Sequence, residues 1–136
     1  MLTCGKRLIN KMTIKDVVYL ENGDFNQNPQ RRITTIMDGV SEFLVGDVRL
    51  LVVDLNCEFG GHWREYPEVW GFLGEATITL EDIDTKERIQ YSVNNGSRLF
   101  IPPRVASKAY AKVGTAIVTC SPKADRVKKT HKYQFN

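Results

Sequence analysis

The sequence predicts an all-β chain, folded as a sandwich or a closed barrel. Three observations lead there. Short strand-like runs recur about every 8–12 residues, several of them alternating apolar and polar positions. Turn signals separate them, and Asn94-Asn95-Gly96 is the strongest, because Asn-Gly tolerates the positive φ angles of tight turns. No long segment between residues 40 and 120 keeps the helical period of about 3.6 residues.

In chain order, Asp16 to Leu20 reads as a first strand and Glu21-Asn22-Gly23-Asp24 as its turn. Asn26 to Gln30 reads as a polar loop. Arg31 to Met37 is ambiguous, with Asp38-Gly39 as its turn. Val48 to Leu55 has only Arg49 and Asp54 as polar residues, which predicts a strand buried on both faces. Thr77 to Glu81 and Arg88 to Val93 alternate at period two around a hairpin connection at residues 82–87. Leu99 to Ile101 and Thr115 to Thr119 are two more strands. Pro102-Pro103 donates no N–H and therefore marks a strand edge or corner. Only Lys123 to Tyr133 has weak helical character. Residues 1–12 read as an N-terminal arm or extension, 13–122 as the barrel and 123–136 as a basic C-terminal tail.

The chain has 136 residues, 42% hydrophobic and 26% charged, which suits one soluble domain with a core of its own. No apolar run approaches the ~18 residues of a membrane span, and the start lacks the apolar centre of a secretory signal. The net charge of +3 is concentrated in Ser121 to Asn136, which has five Lys/Arg and one Asp. That segment reads as a solvated tail, with a phosphate contact or acidic partner as the sharper alternative. Nucleic acid is disfavoured as a partner. Cys4, Cys57 and Cys120 form no CxxC pair, which excludes a zinc ribbon. Their odd number suits reduced thiols in a cytoplasm, and Cys57 and Cys120 read as small buried hydrophobes. His62 and His131 are the two histidines, so no three-histidine metal centre can form within one subunit.

The stretch Gly60 to Thr119 resembles the cupin superfamily, jelly-roll barrels with a pocket at one mouth. The first cupin motif runs from glycine through His-x-His to a glutamate and a later glycine. Here it reads Gly60-Gly61-His62-Trp63-Arg64, then Glu68 and Gly74. The second runs from glycine through Pro-x-Gly to a histidine. Here it reads Gly96, Pro102-Pro103-Arg104 and Ser107. His62 falls on the first ligand histidine of the family and Glu68 on its carboxylate. The second histidine is Arg64 and the last is Ser107. An arginine puts a permanent cation where a divalent ion would sit. The resemblance therefore implies a cupin-type jelly-roll barrel without a metal site and without a cofactor. It points toward the RmlC-like epimerases and sugar-nucleotide ketoisomerases, the cupins that work without metal.

Strand alternation then assigns the lining. If His62 and Arg64 point inward, Trp63 and Glu65 point outward. Glu68, Trp70 and Phe72 share one face, and Ser107, Ala109 and Ala111 line the facing strand. Arg64 and Glu68 are placed to pair inside the mouth, as anion anchor or as a structural polar plug. His62 is the candidate acid–base, because an imidazole titrates near neutrality. Arg64, Glu68, Trp70, Phe72 and Ser107 are the candidate substrate-binding residues. Arg98 and Arg104 flank the second motif with forks suited to phosphate, although surface solvation is their default. Two readings stay open. One is a metal-independent isomerase or epimerase acting on a nucleotide-linked sugar. The other is a non-catalytic module for a carbohydrate or carboxylate. The resemblance also implies a homodimer, with an N-terminal arm (residues 1–20) placed to exchange between subunits.

Overall fold

The alternating runs become strands in the computed structural model, which describes residues Ile14–Asn136. Two five-stranded antiparallel sheets face each other. The first runs Val18–Leu20 (β1), Arg98–Ile101 (β9), Glu68–Leu73 (β6), Ala116–Ser121 (β11) and Asp47–Val52 (β4). The second runs Thr130–Lys132 (β12), Cys57–Arg64 (β5), Val105–Ala111 (β10), Ala76–Asp82 (β7) and Arg88–Val93 (β8). Phe25–Asn28 (β2) and Arg31–Thr34 (β3) form a separate hairpin. Neighbours such as β6 with β11 and β5 with β10 are far apart in sequence, so the chain crosses repeatedly between sheets in the jelly-roll manner. The inner faces bury Phe72, Ile78, Leu80, Leu99 and Ile117 between them. Among the described residues no helix is long and apolar enough to cross a membrane.

Several expectations are corrected. The polar loop expected at Asn26 to Gln30 is largely strand, because β2 pairs with β3 across a turn. Asn28 makes that turn: its Oδ1 accepts from the backbone N–H of Gln30 (2.9 Å) and Arg31 (3.0 Å). The first strand is shorter than expected, because Ile14–Asp16 forms a 3-10 turn. The buried Asp82 carboxylate holds that turn, accepting from the N–H of Ile14 at 3.0 Å. β4 is not buried on both faces. Among the described residues it is the last strand of its sheet, flanked by β11 alone, and Val48, Leu50 and Val52 are exposed. Cys57 is exposed rather than buried, because β12 covers only the far half of β5. Cys120 is buried. The weak helix reduces to one turn, Arg126–Lys129 (α1), followed by β12. The N-terminal arm and Cys4 lie outside the described residues.

Arg98 is also not a surface group. Its side chain is buried and donates to three carbonyls, those of Glu21 (2.8 Å), Ile36 (2.8 Å) and Asp38 (2.7 Å). It ties the β2–β3 hairpin to the first sheet, where Ile36 packs directly over Gly71. Hydrogen bonds from a charged donor are the strong ones, and removing it strands three carbonyl groups. Arg98→Ala should therefore lower stability by about 3 kcal/mol in urea unfolding.

Candidate functional site

The position of the site follows from a β-bulge. Along β5 and β10, Phe59 pairs with Ala109 and Gly60 with Lys108, but Ser107 then pairs with His62. Gly61 is the extra residue. Both glycines have positive φ (+107° and +81°), and a Cβ on Gly60 would lie 2.8 Å from the Lys108 backbone. Regular alternation from the inward Phe59 would turn Gly61 and Trp63 inward. The inserted residue shifts the parity, so His62 and Arg64 enter the barrel and Trp63 leaves it. Outside, Trp63 stacks on the His131 ring (centroids 4.2 Å) beneath the Arg104 guanidinium (5.2 Å).

The inward residues border a cleft of about 360 Å³ between the sheets. His62, Arg64 and Phe59 come from β5 and Ser107 from β10. The facing wall is a cross-strand row, Arg49, Thr119 and Trp70, in register across β4, β11 and β6. Arg126 of α1 closes one end.

A buried carboxylate organises these cations. Glu68 is 4% exposed and stands behind Arg64 and Trp70. Its Oε1 accepts from Trp70 Nε1 at 3.3 Å and lies 3.3 Å from Arg64 Nη1. Its Oε2 lies 3.8 Å from Arg126 Nη1. Arg126 in turn donates to Asp47 Oδ2 from Nη2 (2.9 Å) and Nε (3.2 Å). Burial pushes the Glu68 carboxyl above its ordinary range, against the pull of Arg64, the Trp70 hydrogen bond, Arg126 and Arg49. The Arg126 hydrogen bond holds Asp47 below its ordinary range. Partial burial, then the cations Arg64 and Lys132, push the His62 imidazole below 6.5. A neutral imidazole beside a guanidinium is a base next to a fixed positive charge.

Most of the sequence-predicted residues meet here. His62, Arg64, Trp70 and Ser107 line the cleft. Glu68 touches it only through its partners. Phe72 does not reach it: two residues further along β6, it is 1% exposed in the core behind Trp70. Arg104 is taken by Asp84, donating at 2.7 and 3.1 Å. Tyr91 packs edge-on against Tyr19, and Tyr110 lies exposed on the outer face. The basic tail is not simply solvated, because Arg126 and β12 build one end of the site. Arg49 and Arg126 are lining residues that the sequence reading passed over. Alternation along β4 could have flagged Arg49, whereas nothing in the local pattern marks Arg126.

A divalent ion does not fit this donor set. Arg64 brings a guanidinium, which offers no lone pair, to the cleft wall, and Ser107 adds only a hydroxyl. His131 is on the outer face, 2.7 Å from Glu65 Oε2. No group of three His, Cys, Asp or Glu able to hold a metal occurs among the described residues.

Solved structures share this architecture. The sugar 3,4-ketoisomerase QdtA from Thermoanaerobacterium thermosaccharolyticum, in complex with TDP, matches with a TM-score of 0.70 at 17% identity, covering 87% of this chain and 88% of that one. The TDP-fucose-3,4-ketoisomerase WlaRA from Campylobacter jejuni matches at 0.66 and 15%, over 85% and 88%. The 3,5-epimerase RmlC from Legionella pneumophila matches at 0.66 and 9%, over 84% and 71%. The fold is that of a cupin barrel. No family model and no curated protein matches the sequence.

The raised Glu68 pKa has a stability consequence. The folded chain binds this proton more tightly than the unfolded chain, so the contribution is complete below 4.5 and is lost as pH rises through the folded value. Between about pH 5 and 8, Glu68→Gln should remove a component of stability loss with rising pH. Urea midpoints of both proteins across that range test the sign.

Proposed function

We propose that the chain is a metal-independent isomerase acting on a nucleotide-linked sugar, with His62 as the proton-transfer group. The observation that carries this reading is the pairing of a neutral imidazole with a guanidinium at the wall of a sugar-sized cleft. The fold is also one on which TDP-sugar isomerases are built. A hydrogen on a carbon next to a ketone is acidic because its removal places charge on the carbonyl oxygen. In the proposed step His62 takes that proton and Arg64 stabilises the resulting enolate oxygen; the proton of the adjacent hydroxyl passes to that oxygen, and His62 returns its proton to the former carbonyl carbon, so that the ketone now stands on the carbon first deprotonated. Arg49 and Arg126 are the groups for the diphosphate, Trp70 forms the apolar wall and Ser107 is a small polar contact.

One base favours isomerisation over epimerisation. Transfer between adjacent carbons on one face needs a single group that takes and returns the proton. Inversion at one carbon needs delivery from the opposite face, and among the described cleft residues His62 is the one imidazole. Incubation with TDP-4-keto-6-deoxyglucose in D2O should place deuterium beside the ketone, read by NMR. His62→Asn should cut the rate at least about 100-fold, the scale of general-base loss, while the unfolding midpoint stays near wild type. Unchanged exchange in the variant removes His62 from the mechanism. Binding without exchange in the wild type selects the non-catalytic reading, a carbohydrate- or carboxylate-binding module.

The exposed strip of β4 suits a second copy of this chain. Val48, Leu50 and Val52 alternate on its outer face, and among the described residues no strand pairs with its outer edge. The pattern is palindromic about Leu50. Antiparallel self-pairing sets Leu50 against the partner subunit's Leu50, and Val48 against the partner subunit's Val52, as a two-fold interface requires. The wild type should sediment as a dimer and Leu50→Glu as a folded monomer. A monomeric wild type would remove this interface.

A further inference from the structure

The Glu68 cluster is more than a plug that fills the place of a metal. Three guanidinium groups, those of Arg49, Arg64 and Arg126, line the cleft, while Glu68 lies behind them. Charge-assisted hydrogen bonds run at about 2.7–2.9 Å. Neither contact of Glu68 with an arginine reaches that range: Arg64 is at 3.3 Å and Arg126 at 3.8 Å. Glu68 Oε2 and Arg64 Nε are both buried without a hydrogen-bond partner. The pair is thus held close but left incompletely satisfied, with donor capacity on the side that opens to the cleft. A buried ion pair of that quality is poor stabilisation. It is well suited to being exchanged.

We propose that Glu68 is an internal competitor for the ligand's anion: its carboxylate engages Arg64 and Arg126 in the ligand-free protein and yields both guanidinium groups to a phosphoryl group entering the cleft. A phosphoryl group offers three acceptor oxygens where Glu68 offers two, and it can approach the two forks from the cleft side. The exchange deepens the nucleotide-sugar reading by adding Arg64 to Arg126 as a diphosphate contact, one edge of the Arg64 guanidinium meeting the phosphate while its other donors face the sugar, and it rests on that reading for the presence of a phosphoryl group. It does not require any reaction to follow.

Once its arginines turn to the ligand, Glu68 is a carboxylate buried with less counter-charge. The groups that face it are Arg64 from β5, Trp70 from β6, Arg49 from β4, Arg126 from α1 and the Cys120 thiol from β11. The thiol is itself pushed up by burial and by Glu68, so it supplies no stabilising charge. The carboxylate then takes up a proton, and anion affinity rises as pH falls. This sign is opposite to that of a carboxylate that merely orients the arginines, whose protonation would weaken binding.

The test is calorimetric titration with TDP, inorganic pyrophosphate and uncharged thymidine near about pH 7, in two buffers of different ionisation enthalpy. The proteins are wild type, Glu68→Gln and His62→Gln. The carboxamide cannot compete as an anion, so Glu68→Gln should bind TDP about tenfold more tightly, equivalent to about one pKa unit of released competition, with thymidine unaffected. Wild type and His62→Gln should take up more protons per TDP than Glu68→Gln. The phosphate's own protons are common to all three proteins and cancel in that difference. A gain shared by TDP and pyrophosphate assigns the effect to the phosphates alone. A gain seen with pyrophosphate but not TDP assigns the subsite to free phosphate and defeats the nucleotide-sugar reading while leaving the competition intact. Weaker or unchanged binding of both TDP and pyrophosphate by Glu68→Gln overturns the proposal, as does equal proton uptake by wild type and Glu68→Gln. If Glu68→Gln does not fold, His62→Gln decides: proton uptake per TDP no greater than the ionisation of the phosphate itself accounts for overturns it.

Discussion

The bulge at Gly60–Gly61 determines which chemistry enters the barrel. Strand parity admits no half-measures: an inserted residue exchanges the inward and outward sets of everything beyond it. With the bulge, a base and a guanidinium enter the cleft and an indole is left outside. Without it, Trp63 would fill the space and His62 and Arg64 would face solvent. Both glycines occupy the positive-φ region, and Gly60 lies too close to the Lys108 backbone for a side chain. The outward indole still has a use. Between His131 and Arg104 it fastens β12 and the Pro103–Arg104 corner to the outside of the same strand.

Electrostatics inside the cleft follow from one residue type at one position. A metal site needs donors that can lose a proton or offer a lone pair, and a guanidinium does neither. Arg64 therefore changes the role of the groups around it. Glu68 becomes the counter-ion of two arginines. Burial first, and then its cationic neighbour Arg64, push the His62 imidazole below its ordinary value. The cleft exchanges a Lewis acid for a cluster of fixed cations, a form of charge suited to anionic ligands and to an enolate oxygen.

The inner architecture was legible in the sequence because its causes are local. Period-two alternation located β7 and β8, Asn95-Gly96 located the turn after them, and the proline pair located the corner after β9. Parity also gave the orientation of His62 and Arg64, conditional on one of them pointing inward. What alternation does not encode is a strand's place in its sheet. Val48 to Leu55 is as apolar as a central strand, yet among the described residues β4 has a neighbour on one side only. Side-chain composition likewise concealed the opposite case at Arg98. A guanidinium beside a turn reads as a surface group, whereas here three carbonyls from distant loops solvate it within the fold. Phe72 was misplaced for a geometric reason: sharing a face with Trp70 does not mean sharing a depth.

The C-terminal segment shows how a charge-rich tail becomes part of a site. Its basic residues do not act as a uniform patch. Asp125 caps the turn at the Lys128 N–H, Lys129 faces Glu65, and Arg126 is directed at Asp47 and Glu68. Asp47 is the first residue of β4, the same strand that carries Arg49 into the cleft and Leu50 onto its outer edge. Its carboxylate holds Arg126 firmly, with two donated hydrogen bonds, while Glu68 holds the same group loosely. Arg126 is therefore fixed by Asp47, and the Nη1 edge of its rigid fork is held only loosely by Glu68. β4 thus links the cleft to the apolar edge, so whatever packs on that edge also sets the strand from which the anion-facing arginines are positioned.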